Sequence, residues 1–407
     1  MTSPLRQYAI ITGNYWAFTL TDGALRMLVV LHFHQLGYSP LAIAALFLFY
    51  EIFGVITNLL GGYLGARIGL NRTMNIGLGL QIGALLMLAV PTSLLSIGWV
   101  MAAQALSGIA KDLNKMSAKS AIKSLVPAQK SVSIDQPKTQ NSDKQSKLFK
   151  WVALLTGSKN ALKGIGFFLG GVLLVGLGFS DAVLSMAACL LVVWFSSLVL
   201  LRKDLGKAKQ KPKFREIFSK SRSINYLSGA RLALFAARDV WFVVALPVFL
   251  SSQLQWDFWQ VGTFMALWVI GYGLLQAMAP LMLGAAPKGR LAISLAWLLA
   301  FTTAAIAIAL NSNLPANSVV ILGLLLFGVL FALNSALHSY LIVSYAQEDG
   351  ASLDVGFYYM ANALGRLMGT VLSGWVYQTA GIAACLWVSS GLIAVAALIS
   401  FGLPRKH

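Results

Sequence analysis

The chain has 407 residues, 58% of them hydrophobic and only 11% charged, with a mean hydropathy of +0.75. A soluble domain carries about 25% charged residues, so an ordinary globular enzyme is excluded, and the length is better counted in membrane spans of about 20 residues. The formal net charge is +18, from 31 Lys and Arg against 13 Asp and Glu. Most of the basic residues lie in short connections between apolar runs, which reads as a topology signal and not as a nucleic-acid surface.

Apolar segments run near 8–34, 40–66, 73–94, 96–118, 150–177 and 180–201, and after a basic stretch near 224–251, 258–283, 291–310, 317–345, 354–379 and 381–402. Lipid offers backbone groups no water, so each must be a helix. The first run is too long, and too interrupted by Asp22 and Arg26, to read as a cleaved signal. The expectation is an all-α integral membrane protein with twelve transmembrane helices in two six-helix halves. The first half covers 1–126 and 148–201, around a polar loop at 127–147 expected to be irregular. A basic connection at 202–222, read as a topology anchor and linker, leads to the second half, 223–407.

The connections carrying Arg67 and Arg72, the 119–150 and 202–222 stretches, Lys288, Arg290 and the Arg405-Lys406 tail all fall on one side. Those near 35–39, 91–95, 178–181, 252–257, 311–316 and 380 hold no Lys or Arg. The asymmetry predicts a multi-pass protein of the inner (cytoplasmic) membrane with both termini cytoplasmic.

Charges at membrane depth are costly and mark function. They fall at Asp22 and Arg26 on the first span, Glu51 on the second, and Lys111, Asp112 and Lys115 on the fourth. The fifth carries Lys159 and Lys163, the seventh Arg231, Arg238 and Asp239, the tenth His338 and the eleventh Arg366. The eighth has no charge but carries Gln260, Tyr272 and Gln276. Helices three, six, nine and twelve carry no charge in their interiors. Lys163 lies about 20 Å along its helix from Lys150, near the middle of a core of about 30 Å. The lysine stripe Lys111, Lys115, Lys119 and Lys123 divides, with Lys119 and Lys123 expected to snorkel at the rim.

Arg26, Lys111, Lys159, Lys163, Arg231, Arg238 and Arg366 thus form a candidate binding set for a small anion, against the acids Asp22, Glu51, Asp112 and Asp239. Those four are candidates for proton coupling or charge pairing. Pairing alone would join Arg26 to Asp22 at i,i+4, and Arg238 and Asp239 across helices, but leaves a basic surplus. Cys189 and Cys385 are isolated, so there is no metal-ligand spacing, and no cofactor is implied.

An internal echo relates the halves: Asp22 to Gly54 and Asp239 to Gly271 both span 32 residues, offset by 217, and Phe47 and Phe264 align at the same offset. Parallel halves of this kind, with charge-free outer helices, resemble the major facilitator superfamily. Gly62-Tyr-Leu-Gly-Ala66-Arg67-Ile-Gly69-Leu-Asn71-Arg72 resembles that family's G-x-x-x-D-R-x-G-R-R gate loop, with Ala66 where the family has an acid. Gly166-Phe-Phe-Leu-Gly170-Gly171 resembles the G-P-x-x-G-G element of facilitator antiporters, with Phe167 at the proline, but close helix packing is the favoured reading.

The blocks at 13–40, 107–123, 155–164 and 237–250 resemble organoarsenical efflux permeases of the ArsJ type. That resemblance implies export of 1-arseno-3-phosphoglycerate, made in the cytosol by glyceraldehyde-3-phosphate dehydrogenase as functional partner, and hence arsenate resistance. A pentavalent, phosphate-like oxyanion calls for Arg and Lys, whereas trivalent arsenic would favour clustered cysteines. The rivals are an organophosphate or other organic-anion carrier and, from another class, a membrane-embedded enzyme. Against the enzyme, the sequence holds no H-E-x-x-H or G-x-S-x-G, and His338 is its only deep histidine.

Overall fold

The structure is a computed structural model that describes residues 4–38, 46–125, 138–201, 205–209, 212–218, 220–284, 287 and 289–404. Lys288, Arg405 and Lys406, counted among the topology signals, lie outside the described residues, as do 126–137. Secondary structure among the described residues is helical. In chain order come α1 (Pro4–Gln35), α2 (Leu48–Ile68), α3 (Leu70–Leu88), α4 (Ile97–Leu125) and α5 (Lys138–Leu200). They are followed by α6 (Arg222–Phe242), α7 (Ala245–Ser252), α8 (Phe258–Leu283), α9 (Gly289–Leu310), α10 (Ala316–Tyr345) and α11 (Ala351–Ser400).

The eleven α-helices of the described residues resolve into twelve spans for a simple reason. α5 and α11 are each two spans joined through one glycine, Gly178 (φ 77°, ψ 178°) and Gly381 (φ 77°, ψ −176°), a backbone conformation that a Cβ disfavours. α6 and α7 together make one span, interrupted after Phe242. The freed amide of Ala245 is met by the Ser373 hydroxyl of α11 at 3.1 Å. The two glycine breaks fall at the same place in each half. Their offset is 203 and not 217, because the longer 127–147 stretch lies in the first half.

One expectation is corrected. α5 begins at Lys138, so the last part of the polar stretch expected to be irregular is helical. Lys and Gln are good helix formers, and a helix nucleated in the apolar run extends into them at little cost. Gln260, counted among the polar residues of the eighth span, sits at its start: it forms a capping box with Asp257, with bonds of 2.8 and 2.9 Å.

The chain forms two compact units. The first comprises Met1–Asp135, Ser158–Ser219 and Ala346–Met360; the second comprises Gln136–Gly157, Lys220–Tyr345 and Ala361–His407. α5 and α11 therefore each contribute to both. The first unit packs around Phe18, Leu28, Phe33, Leu85 and Val183. The second packs around an aromatic group of Trp241, Phe242, Trp268, Phe327 and Phe331. Val175, Val199 and Leu281 stand outward almost fully exposed, as an apolar surface meant for lipid requires.

Glycine sets the closest helix approaches. In the first unit, α5 meets α1 where a Cβ on Gly166 would fall 2.7 Å from the Leu20 carbonyl and one on Gly170 would run into the Ala24 carbonyl. In the second, Gly369 of α11 is similarly pressed against Ala236 and Asp239 of α6. Gly166 and Gly170 are thus packing residues, the reading favoured from the sequence. Gly170→Val is expected to cost about 1–3 kcal/mol by overpacking. Gly176→Val, in open space, should stay within about 0.5 kcal/mol. Thermal unfolding of the two variants in detergent compares them directly.

Candidate functional site

The charges of the first unit gather where α2 and α4 come close. A Cβ on Gly54 would lie 2.8 Å from Asp112 Oδ2, and one on Gly108 would lie 2.7 Å from the Tyr50 carbonyl. This approach brings Tyr50 and Glu51 beside Lys111 and Asp112. Arg26 of α1 reaches Glu51 at 2.9 Å. Lys111 Nζ is 3.9 Å from Asp112 Oδ2, and Lys115 Nζ holds the other oxygen of that carboxylate, which is only 2% exposed.

The i,i+4 pairing of Arg26 with Asp22 expected from spacing does not form. The Arg26 guanidinium lies on the Tyr50 ring, 4.1 Å from its centroid, and from there meets Glu51. Asp22 is buried and instead accepts a hydrogen bond from the Tyr50 hydroxyl at 2.7 Å.

In the second unit Asp239, 1% exposed, receives two arginines. Arg238 Nε donates to its Oδ1, and Arg366 Nε stands 3.5 Å from Oδ2. The cross-helix partner of Asp239 is therefore Arg366, with Arg238 bonded to its own neighbour in sequence. Arg231 is almost wholly buried: Nε donates to Asn362 Oδ1 at 2.8 Å and Nη1 to the Ser335 hydroxyl at 3.1 Å. Arg231 and Arg238 share the Phe235 ring, at 4.0 and 4.7 Å from its centroid. A desolvated cation over an aromatic face gains about 2 kcal/mol.

Of the predicted set, Lys159 donates to Asn160 Oδ1 at 3.2 Å, and Lys163 Nζ is 5.8 Å from the Phe167 ring. The Lys163 carbonyl abuts Gly23, next to Asp22. Sequence reasoning missed Tyr50, Phe235 and Tyr359, since an aromatic residue among apolar ones gives no signal of its own. It also misplaced Lys119. This lysine is 4% exposed and not snorkelling at a rim; its ammonium donates to the Tyr359 hydroxyl and lies 4.7 Å from the ring centroid. Lys115 approaches the same ring at 5.0 Å.

Residues 9–349 match the Major Facilitator Superfamily. The chain belongs to that superfamily. It is accordingly a multi-pass membrane transporter. Solved facilitator structures share the fold. Human MFSD10 (TETRAN), described as an organic anion transporter, is 17% identical with a TM-score of 0.74, covering 98% of this chain and all of that one. The proton:xylose symporter XylE is 15% identical with a TM-score of 0.72, covering 97% and 95%. A bacterial homologue of the iron transporter ferroportin is 16% identical with a TM-score of 0.71, covering 96% and 98%. No functionally curated protein matches by sequence.

The loop that resembles the facilitator gate is built differently at the position of the missing acid. Gly69 (φ 101°) turns the chain from α2 into α3, Arg67 donates to the Tyr63 hydroxyl, and Arg72 is exposed. Where the family has a carboxylate, the buried Ala66 offers its carbonyl to the Ala208 amide at 2.8 Å, and the Leu70 amide donates to the Leu205 carbonyl at 2.8 Å. The Lys209 amide then donates to Asp349 at 2.9 Å, and Phe214 packs edge-on to Tyr63. The basic connection, read as a linker, is thus also a strap across this loop. Beside it Gly62 lets α2 touch α11: the Ser352 hydroxyl donates to the Gly62 carbonyl at 2.8 Å, and a Cβ on Gly62 would fall 3.1 Å from Gly356 Cα.

Asp239→Asn removes the carboxylate that Arg238 and Arg366 share. The expected loss is about 3–5 kcal/mol of stability, and adding Arg366→Gln should restore part of it. Thermal midpoints of the single and double variants decide this; equal midpoints for wild type and Asp239→Asn would show that the pair carries no stability.

Proposed function

We propose that this transporter exports 1-arseno-3-phosphoglycerate from the cytosol by alternating access and so confers arsenate resistance, with glyceraldehyde-3-phosphate dehydrogenase as the source of its cargo. The observation that carries the reading is the charge count in the second unit. Three arginines, Arg231, Arg238 and Arg366, stand at membrane depth against one carboxylate, Asp239. Three guanidinium groups against one carboxylate leave a net positive charge, and an oxyanion is the ligand that completes the count. Guanidinium groups match the paired oxygens of phosphate and arsenate. In the first unit Arg26, Lys111, Lys159 and Lys163 extend the same preference. The choice of arsenate ester among anions rests on the resemblance to organoarsenical permeases and on the isolation of Cys189 and Cys385.

The proposal places the basic connections, both termini and the Gly62–Arg72 loop on the cytoplasmic side of the inner membrane. It also selects among the four acids. Glu51, Asp112 and Asp239 are each held by a cation, whereas Asp22 is held by the Tyr50 hydroxyl. Asp22 is thus the acid whose hydrogen bond comes from a neutral group, and we assign proton coupling to it.

Inside-out vesicles supplied with the dehydrogenase, its substrates and labelled arsenate should accumulate the label only when the transporter is present. Phosphate exchange without accumulation would instead establish the second reading, an organophosphate or organic-anion carrier. Cells carrying this gene beside the dehydrogenase should outgrow cells without it on arsenate. Asp22→Asn should retain accumulation but lose its response to an imposed pH gradient; an unchanged response would exclude Asp22 as the coupling group.

A further inference from the structure

We propose that Ser228 and His338 are specificity residues of the second unit, a facing pair that reads a hydroxyl group on the cargo bound at Arg231. The pair presupposes the anionic cargo proposed above and tells it from other anions of the same charge.

Within the second unit α6 and α10 run antiparallel along one stripe of contacts. Arg231 Nη1 donates to the Ser335 carbonyl at 3.3 Å and to its hydroxyl at 3.1 Å, and the Phe235 and Phe331 rings pack at 5.3 Å. Four residues forward on α6 are thus matched by four residues back on α10. The same register, followed the other way, sets Ser228, three before Arg231, opposite His338, three after Ser335. Each lies seven residues from the phenylalanine of its own helix, and so on the face that already carries the contacts.

Both residues are buried, at 2% and 1% exposure. Neither the Ser228 hydroxyl nor His338 Nδ1 has a hydrogen-bond partner among the described residues. Other buried hydroxyls of this protein turn back onto their own helix: Thr303 donates to the Leu299 carbonyl at 2.8 Å and Ser400 to the Ala396 carbonyl at 2.7 Å. Ser228 has the same option at Ile224 and does not take it. Buried polar groups are normally paired, and a hydroxyl and an imidazole that face each other without bonding are satisfied by a third group set between them. A ligand hydroxyl suits both, since it can accept from one and donate to the other. The pair stands one helical turn, about 5 Å, from the turn that holds Arg231, and Arg231 is fixed there by Asn362 at 2.8 Å. One small molecule can therefore place an oxyanion at the guanidinium and a hydroxyl at the pair.

The test uses the purified full-length protein and two stable probes, 3-phosphoglycerate and 3-phosphonooxypropanoate, which differ only in the hydroxyl. Binding is read by calorimetry. Wild type should bind the hydroxy acid about tenfold or more tightly, because the analogue leaves the buried pair unmet. Ser228→Ala and His338→Leu should bring the two probes within about twofold of each other, by weakening the hydroxy acid and not the analogue. His338→Asn, whose amide can stand near the place of Nδ1, should keep most of the preference. Ser228→Ala removes a single oxygen and carries the test alone if His338→Leu does not fold. Equal binding of the two probes by wild type, or a preference that survives Ser228→Ala, overturns the role of the pair and leaves the anionic reading standing. Failure of wild type to bind either probe overturns that reading and the role of the pair with it.

Discussion

An ionised side chain at membrane depth has no water to lean on, so every such charge in this protein must be met by another protein group or by cargo. That constraint organises both units. In the first, Glu51 and Asp112 take up Arg26 and Lys115, and Asp22 is served by a phenol. In the second, Asp239 is divided between Arg238 and Arg366, while Arg231 is held by an amide and a hydroxyl. Aromatic faces at Tyr50, Phe235 and Tyr359 supply what carboxylates do not. Small residues make these meetings possible. Without Gly54 and Gly108, α2 and α4 could not approach closely enough to join Tyr50 to Lys111.

The same economy shows in how α5 and α11 are used. Each is a long helix whose N-terminal part belongs to one compact unit and whose remainder belongs to the other. Residues 346–360 are tied into the first unit by Ser352 on Gly62 and by Lys119 on Tyr359. Residues 136–157 join the second, where Gly157 packs onto Gly273 and Ala277, and Phe149 stacks against Tyr340. In both cases the polar or glycine contacts lie near the basic connections. A transporter has to break and remake contacts of this kind, and short side chains or single hydrogen bonds make that inexpensive.

The twelve apolar runs were legible in the sequence because lipid enforces helix, and the deep charges were legible because they interrupt those runs. Their partners were not. Spacing proposed Asp22 for Arg26, but the partner is Glu51, since a cation that lies on the Tyr50 ring is directed to the adjacent residue of α2. Lys119 looked like a rim lysine because its position near the helix end was visible and Tyr359, 240 residues away, was not. The connections near 178 and 380 were legible as breaks between apolar runs, but that each turns on a single glycine at positive φ, Gly178 and Gly381, was not. Periodicity shows what is buried; it does not show which buried groups meet.

The strap over the α2–α3 turn has an implication for how this protein meets changing conditions. Two of its three anchoring bonds run from peptide group to peptide group, at Ala66 with Ala208 and at Leu70 with Leu205. Peptide groups do not titrate, and bonds between them are hardly screened by salt. A fastening made from a carboxylate and an arginine would loosen as its surroundings acidified or their ionic strength rose. Those two bonds register only the path of the chain, and their grip survives drift in side chains so long as Gly206 (φ 66°) can still make its turn against Leu70.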